Sequence, residues 1–404
     1  VTATVRLLNE RTFGDEADAD NLTARINNSD VSLDLAYMTM KEFLYSPLTL
    51  TVGRQNLKFG NGLIIGDPDT NGISDGHLTT ARYLPNSLDD LSLRKAFDAI
   101  RATLDYDPLV VDLVYSDVDE NAVGLEDDTT LMGVNASYMV NNDLTTEAYL
   151  WQRTRRVAGT TPATPAPLLN EEDQDENLRT IGARAAYTGI ENMTLGIEGA
   201  FQFGDHFSNT VLYPDELGAN ATALKNRKVT AYAIQAVANM VMPNKKYTPV
   251  IGGSYTYLSG DNYLSDSDNY HGWSAMYEDQ AGGTLFNKIM GYSNAQLFNL
   301  NGTVRPWEDV AVRLDYYYLR LNKPYSIAAV AAPVTLSGVT GDPTYIMQGD
   351  KKDLGNEVDL NITYDYTEDV QLGLNYGVFM PGDAFAKNND NNATQVIGTM
   401  KVTF

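Results

Sequence analysis

The sequence contains no cysteine, and its 404 residues include no apolar stretch near the roughly 20 residues that a transmembrane helix needs. The absence of cysteine excludes a disulfide framework and a thiolate metal site. Lysine and arginine total 29 against 53 aspartate and glutamate, a formal charge of -24, so the clustered basic surface of a nucleic-acid-binding protein is missing. A helical membrane protein and a nucleic-acid partner are therefore excluded.

Polar and apolar residues alternate with a period of two. From Glu357 to Tyr366, apolar side chains occupy every second position and polar ones lie between them. After a short break at 367–369, the same alternation resumes from Val370 to Val378. This period indicates β-strands with one apolar and one polar face, and two such strands across a tight turn indicate a hairpin.

Short and long connections between these strands alternate. Seven are short, around positions 46–47, 107–108, 141–143, 190–192, 243–246, 306–309 and 367–369. Eight are long and polar, at 14–30, 61–94, 119–129, 157–176, 206–226, 261–292, 322–354 and 381–392. Tight turns on one rim and long loops on the other are typical of bacterial outer-membrane barrels, whereas loops this long would be unusual in a soluble sandwich or propeller.

The sequence therefore predicts an all-β fold, a transmembrane antiparallel β-barrel of about sixteen strands, with eighteen as the alternative. We expect a single domain over residues 1–404, with short periplasmic turns and long extracellular loops. The last strand supports this prediction, because one face carries apolar residues or glycine up to a terminal aromatic residue, as bacterial barrels commonly do: Val396, Gly398, Met400, Val402 and Phe404.

Several short motifs occur in an order that resembles the alginate-export family of outer-membrane porins. They are Gly53-Arg54-Gln55, Phe59-Gly60, Leu63-Ile64-Ile65-Gly66, Ala96-Phe97-Asp98 with Arg101, Phe203-Gly204-Asp205, Ser259-Gly260-Asp261 and Phe379-Met380-Pro381-Gly382-Asp383. The resemblance spans nearly the whole chain and implies a barrel in the bacterial outer membrane. The family's alginate exporter is described as an eighteen-stranded barrel with an arginine-lined, electropositive conduit. The lower strand count and acidic composition depart from that pattern, so the resemblance supports the fold and compartment but not alginate as the solute.

If the apolar faces contact lipid, the residues between them face the lumen, because a charge facing the bilayer midplane costs roughly 2 to 4 kcal/mol for Arg or Lys. Asp34 and Asp365 occupy such lumen-facing positions in the alternation. The candidate pore-lining residues are Arg54, Arg101, Asp112, Glu147, Arg153, Arg184, Glu198, Arg313, Asp315, Glu357 and Asp359. Arg54 falls on the lipid-facing side of the alternation unless a bulge at Gly53 shifts the register. We expect that bulge. The five arginines form either a ladder that orients solutes or ion pairs that hold the barrel round.

One predicted loop has the oxygen-ligand spacing of an EF-hand calcium site. Its candidate ligands are Asp67, Asp69, Asn71 and Asp75, with Gly72 at the turn. The twelfth position is Leu78 instead of the bidentate Glu, so a solvated acidic turn is the competing interpretation. We expect no required cofactor, and Ca²⁺ in the external loops as an option.

These features predict a channel for passive diffusion of small hydrophilic solutes or ions. Acidic residues concentrate in the predicted loops at 117–120, 126–128 and 171–176, which favours cations or neutral solutes over polyanions. The alternatives are a barrel that sheathes or anchors a partner protein, as an electron conduit or for surface-layer attachment, and a polysaccharide exporter. An enzyme is disfavoured, because all three histidines fall in predicted loops without a nucleophile nearby. The expected partners are outer-membrane lipid, lipopolysaccharide and small solutes, with the chain as a monomer or homotrimer.

Overall fold

The computed structural model describes residues 1–9, 31–68, 96–119, 129–155, 176–210, 223–243, 245–261, 269–280, 282–289, 292–324, 350–385 and 390–403. The predicted calcium ligands Asp69, Asn71 and Asp75 and the terminal Phe404 lie outside these ranges. Within them, none of the helices is long and apolar enough to cross a membrane.

The described residues form seventeen strands and one four-residue helix, Phe286–Ile289. The strands are β1 Thr2–Leu8, β2 Ser32–Met40, β3 Leu48–Asn56, β4 Ala96–Asp105, β5 Leu109–Asp119, β6 Thr129–Asn141, β7 Leu144–Arg155, β8 Glu176–Ile190, β9 Met193–Thr210, β10 Ala223–Val241, β11 Val250–Leu258, β12 Asn269–Tyr270, β13 Ala295–Trp307, β14 Val310–Leu321, β15 Asp353–Asp365, β16 Val370–Pro381 and β17 Ala393–Val402.

Sixteen of these strands form one antiparallel meander in which each strand pairs with the next along the chain. The seventeenth, β12, has two residues and runs parallel to β10. The predicted count of about sixteen strands is confirmed, and all seven predicted short turns lie between paired strands. The predicted loop at 206–226 is too long, because β9 and β10 remain paired as far as Thr210 and Ala223.

The two faces of the sheet differ as the alternation predicts. Large apolar side chains on one face are exposed, including Ile100, Leu113, Ile181, Leu314 and Leu374. Polar side chains on the opposite face are buried, including Asp112, Gln202, Gln235, Asp315 and Asp359. An exposed apolar face around a polar interior is the arrangement of a barrel that spans a lipid bilayer. The fold is an outer-membrane-type β-barrel.

Two segments that largely overlap predicted external loops fold inside the barrel. The first inward segment comprises residues 57–68, after β3, and the second comprises the described residues of 271–294, between β12 and β13. The second contacts β7 and β9 on one side and β15 on the other, so the sheet curls around it. The described parts of the predicted loops at 61–94 and 261–292 are therefore lumen structure, because their apolar side chains are removed from water there.

Candidate pore and its lining

The first inward segment lies against the inner faces of β7 to β10. The Phe59 ring is 4.8 Å from the Trp151 ring, centroid to centroid, and both side chains are buried. Asn61 Nδ2 donates a hydrogen bond to Gln235 Oε1 at 2.8 Å. Five further apolar or polar residues of this segment are nearly inaccessible to solvent: Leu57, Leu63, Ile64, Ile65 and Asp67. This burial holds the segment on the wall through the hydrophobic effect.

The two inward segments pair with each other through their backbones. Ile65 and Tyr277 form a parallel bridge. The Tyr277 amide donates to the Ile64 carbonyl at 2.9 Å, and the Gly66 amide donates to the Tyr277 carbonyl at 2.6 Å. Lys58 Nζ lies 2.6 Å from Asp279 Oδ2. Together the segments form one internal partition, which satisfies backbone groups that would otherwise be buried without partners.

Arg153 and Gln202 fix the second inward segment on the wall at β7 and β9. Arg153 NH1 donates to the Ala275 carbonyl at 2.8 Å, and its Nε and NH2 lie 2.9 and 2.7 Å from Glu176 Oε1. Gln202 Nε2 donates to the Ser274 carbonyl at 2.6 Å, while its Oε1 accepts from the Ser274 amide at 2.9 Å. The predicted pore-lining residue Arg153 is fully buried under this segment.

Glu357 and Asp359 hold the same segment from the opposite wall, on β15. The two Glu357 oxygens accept from the Leu285 and Phe286 amides at 2.6 and 2.8 Å. Asp359 accepts from the Thr284 amide at 3.1 Å and from its hydroxyl at 3.0 Å. Carboxylates that accept backbone N–H groups form strong, charge-assisted hydrogen bonds. These two carboxylates therefore act as a clamp on the inward segment.

The partition divides the inner wall into two sectors. In the sealed sector, β7 to β10, inward side chains beneath the two segments are buried, among them Trp151, Thr180, Gln202, Ala231 and Ala233, whereas Arg184 and Asn239 nearer the short turns are half-buried. In the open sector, β16, β17 and β1, most inward side chains are half-exposed or exposed, among them Gln371, Asn375, Gln395, Thr399 and Thr4, whereas Phe379 on β16 is buried. Within the described ranges, the open sector therefore keeps accessible polar side chains that face the lumen.

In four of the ion pairs on the described inner wall, the arginine is the more exposed partner. The pairs are Arg6 with Asp34, Arg101 with Asp112 at 2.8 Å, Arg184 with Glu147 at 2.5 Å, and Arg313 with Asp315 at 2.7 Å. The exposed fractions of the arginine and the carboxylate side chain are 36% and 0% for the first pair and 30% and 6% for the second. They are 21% and 12% for the third pair and 47% and 4% for the fourth. In these four pairs the carboxylate is buried and the guanidinium group is turned toward the lumen.

Glu198 lies beneath the first inward segment. Its Oε1 accepts a hydrogen bond from Tyr149 Oη at 2.7 Å, and its side chain is nearly fully buried. A side chain on Gly60 would approach both Glu198 and Arg184, because an ideal Cβ there would lie 3.5 Å from Glu198 Oε2 and 3.0 Å from Arg184 Cδ. These two predicted lumen residues and the turn at Gly60 thus meet at one place in the sealed sector.

The predicted bulge at Gly53 is wrong, and Arg54 does not line the lumen. The register passes through Gly53 without a shift on both sides of β3. Arg54 shares the outward face with Val52 and lies 3.5 Å from the exposed Asp98. Glycine is needed at position 53 for another reason, because its φ is 115° and an added Cβ would collide with the Ala36 carbonyl oxygen of β2.

The register instead shifts between β1 and β2, where Arg6 pairs with Leu35 and Leu7 with Leu33. Asp34 is the extra residue. It is fully buried and accepts from Arg6.

Sequence reasoning missed Arg6, which pairs with Asp34, and the polar residues that fix the partition, including Glu176, Gln202 and Gln235. Gln202 and Gln235 have lumen parity, since Phe201 and Ile234 beside them are exposed apolar residues. The same alternation, applied to amide as well as charged side chains, predicts that both glutamines face the lumen.

Asp67 is the predicted calcium ligand that the structure describes. It is buried, and its backbone amide donates to the Tyr277 carbonyl at 3.0 Å. Within the described ranges, no group of three or more His, Asp or Glu residues is arranged to hold a metal ion. The calcium loop stays a prediction.

A family model described as alginate export matches residues 1–399. No curated protein sequence matches the chain. Solved structures that resemble it include OccK11 (OpdR) of Pseudomonas aeruginosa, with 12% identity, 93% of this chain and 82% of that chain covered, and a TM-score of 0.47. OmpT of Vibrio cholerae has 11% identity, coverage of 92% and 80%, and a TM-score of 0.34. The siderophore receptor PirA of Pseudomonas aeruginosa has 11% identity, coverage of 91% and 56%, and a TM-score of 0.38. The chain belongs to the alginate-export family, and it is a β-barrel of the bacterial outer membrane.

Proposed function

We propose that the protein is a passive channel for small hydrophilic solutes, with a single off-centre passage along the open sector. One observation carries this proposal: the inward polar side chains of β16, β17 and β1 stay accessible, whereas those of β7 to β10 are sealed by the partition. A wall of hydroxyl, amide and paired ionic groups replaces part of a solute's hydration shell without requiring a net charge on the solute.

For selectivity we propose a preference for neutral solutes. The cation preference inferred from the sequence rests largely on acidic residues at 120–128 and 171–175, which lie outside the described residues. The described lumen wall presents guanidinium groups instead, which oppose cations. The acidic residues of the loops favour cations, and the guanidinium groups of the wall oppose them. We therefore expect a reversal potential near zero in a salt gradient across a planar bilayer. Strong cation or anion selectivity would contradict the proposed preference.

A bulky substitution tests the position of the passage. Thr399→Trp places an indole on the inward face of β17, and we expect single-channel conductance to fall by at least about twofold because pore width limits conduction. Thr394→Trp is the matched control, since Thr394 lies on the outward face of the same strand. Absence of conductance steps from the purified chain, or equal conductance in both variants, would overturn the proposal.

Export of an acidic polysaccharide is the second candidate. The family's description as alginate export and the exposed guanidinium groups of Arg6, Arg101, Arg184 and Arg313 favour it. Anion-selective conductance that an oligouronate blocks more tightly than a neutral sugar would support export over the neutral channel. A role as a sheath for a partner protein is less favoured, because the chain's own segments already occupy part of the lumen.

A further inference from the structure

The lipid-facing side of the sealed sector contains an apolar depression of about 770 Å³. Small residues on three neighbouring strands form its floor, and larger exposed side chains form its rim. We name this depression the outer groove, and it is lined by Ala148 and Leu150 on β7, Ile181 and Ala183 on β8, and Gly199 and Phe201 on β9.

Gly199 shows that the groove is open toward the bilayer. Its neighbours Glu198 and Ala200 are buried on the inner face of β9, so position 199 faces outward. An ideal Cβ at Gly199 would meet no atom beyond its own chain neighbours within 4 Å. Because an empty space of this size would forfeit van der Waals contacts along its walls, we expect a hydrocarbon chain of the membrane to fill it.

Two basic side chains lie on the same outward face, between the groove and the barrel end that carries the long connections. Arg179 is two residues from Ile181 along β8, roughly 7 Å nearer to that end. Arg179 and Lys228 are exposed, and each lies between two buried residues of the inner wall. Only β9 separates their strands, so the strand axes are roughly 10 Å apart.

Neither cation is neutralised by a carboxylate of the described residues. Arg179 Nε donates to Gln152 Oε1 at 3.0 Å, and within the described ranges the two terminal amino groups of its guanidinium have no partner. Asp205 lies opposite Lys228 in the register of β9 and β10, but it forms no ion pair with either cation there. In a chain with a formal charge of -24, two uncompensated cations beside one groove indicate an anionic ligand.

An apolar groove that ends at two cations matches a lipid with phosphate groups at its head. Arginine binds phosphate through two parallel hydrogen bonds, and lysine binds it as a point charge. Basic residues at a membrane surface attract anionic headgroups. The end of an outer-membrane barrel that carries the long loops faces the outer leaflet. The characteristic lipid of that leaflet is lipopolysaccharide, whose lipid A part combines acyl chains with phosphate groups on a sugar.

We propose that the outer groove, together with Arg179 and Lys228, is a binding site for lipopolysaccharide. One acyl chain lies over Gly199 between Ile181 and Phe201, and the two cations hold phosphate groups of lipid A. The bound lipid covers the wall on whose inner face the partition is fixed. This inference concerns the outer surface of the barrel and does not depend on whether the lumen conducts.

Lipid binding to the purified full chain tests the charged part of the site. Native mass spectrometry counts the lipid A molecules that the detergent-solubilised protein retains as lipid A is added. We expect wild type to bind dephosphorylated lipid A at least about tenfold more weakly than lipid A, because hydrogen bonds to charged groups are lost. The double variant Arg179→Gln, Lys228→Gln should bind lipid A about tenfold more weakly than wild type for the same reason.

A second variant tests the groove independently of charge. Gly199→Trp places an indole in the open space and should weaken binding of both lipids. Gly398→Trp is its matched control, because Gly398 is an outward glycine of β17 whose ideal Cβ also meets nothing within 4 Å. Arg320→Gln is the control for charge, since Arg320 is an exposed, outward arginine at the same end of β14. Both controls should bind lipid A as wild type does.

Equal binding of lipid A by wild type and the glutamine double variant would overturn the inference, as would equal binding of the two lipids by wild type. A groove that instead joins two copies of the chain would give an oligomer in light scattering. Dissociation of that oligomer by Gly199→Trp, with lipid A binding unchanged, would also overturn the inference.

Discussion

The sealed and open sectors of the barrel are built from the same alternating strands but use their inward positions differently. In the sealed sector, Arg153, Glu176 and Gln202 are fully buried, and the first and last of these bind backbone groups of the second inward segment. In the open sector, Asn375 and Thr399 remain accessible. The comparison shows that an inward-facing polar side chain does not by itself identify a pore. A residue covered by an inward segment holds that segment in place, whereas an uncovered residue is accessible to a solute.

Breaking a buried ion pair in the sealed sector and a half-exposed one on β14 should separate the two roles most strongly. Arg153→Met removes the guanidinium that lies 2.7 Å from the buried Glu176 carboxylate, so we expect the free energy of unfolding to fall by about 3 to 5 kcal/mol. Arg313→Met removes a half-exposed guanidinium and leaves Asp315 its hydrogen bond from Asn299, so we expect a smaller loss. Urea-induced unfolding in lipid vesicles, followed by tryptophan fluorescence, measures both. Similar losses in the two variants would mean that the two ion pairs do not differ in burial as the structure shows.

Weakening the clamp on β15 should allow the second inward segment to leave the wall, which widens the passage. Glu357→Gln replaces a charged acceptor of the Leu285 and Phe286 amides by a neutral amide with one oxygen. Hydrogen bonds to charged groups contribute about 1.5 to 3 kcal/mol, so release of the second inward segment should become roughly 10 to 100 times more frequent. In single-channel recordings this should appear as excursions to a larger conductance.

Asp365→Asn is the matched control for the clamp. It neutralises an exposed carboxylate at the periplasmic end of the same strand, where Asp365 accepts from Gln371, and it does not touch the partition. Its recordings should match wild type. Unchanged recordings from Glu357→Gln would show that the partition is held by packing rather than by the carboxylates.

The alternation of residues was sufficient to predict the strands, the short turns and the lumen parity of Asp112, Glu198 and Asp315, because period two depends only on strand geometry. It could not predict the partition, since parity carries no information on where a loop folds. A signal was present: Leu63, Ile64 and Ile65 form an apolar run in a segment interpreted as polar external loop. Apolar residues within a loop of a barrel indicate that the loop is buried, either in the lumen or in a partner.

The smallest expected effect concerns Arg54, whose outward position separates it from every lumen arginine. Arg54→Leu removes an exposed pair with Asp98 and should change the free energy of unfolding by about 1 kcal/mol or less, with conductance and reversal potential unchanged. Arg101→Leu is the matched comparison on the neighbouring strand β4, where the side chain lies on the inner face. It leaves the buried Asp112 without its guanidinium, so the reversal potential should shift toward cations. If Arg54→Leu shifts the reversal potential as far as Arg101→Leu does, the register of β3 must differ from the one observed, and the boundary between the lipid face and the lumen must move with it.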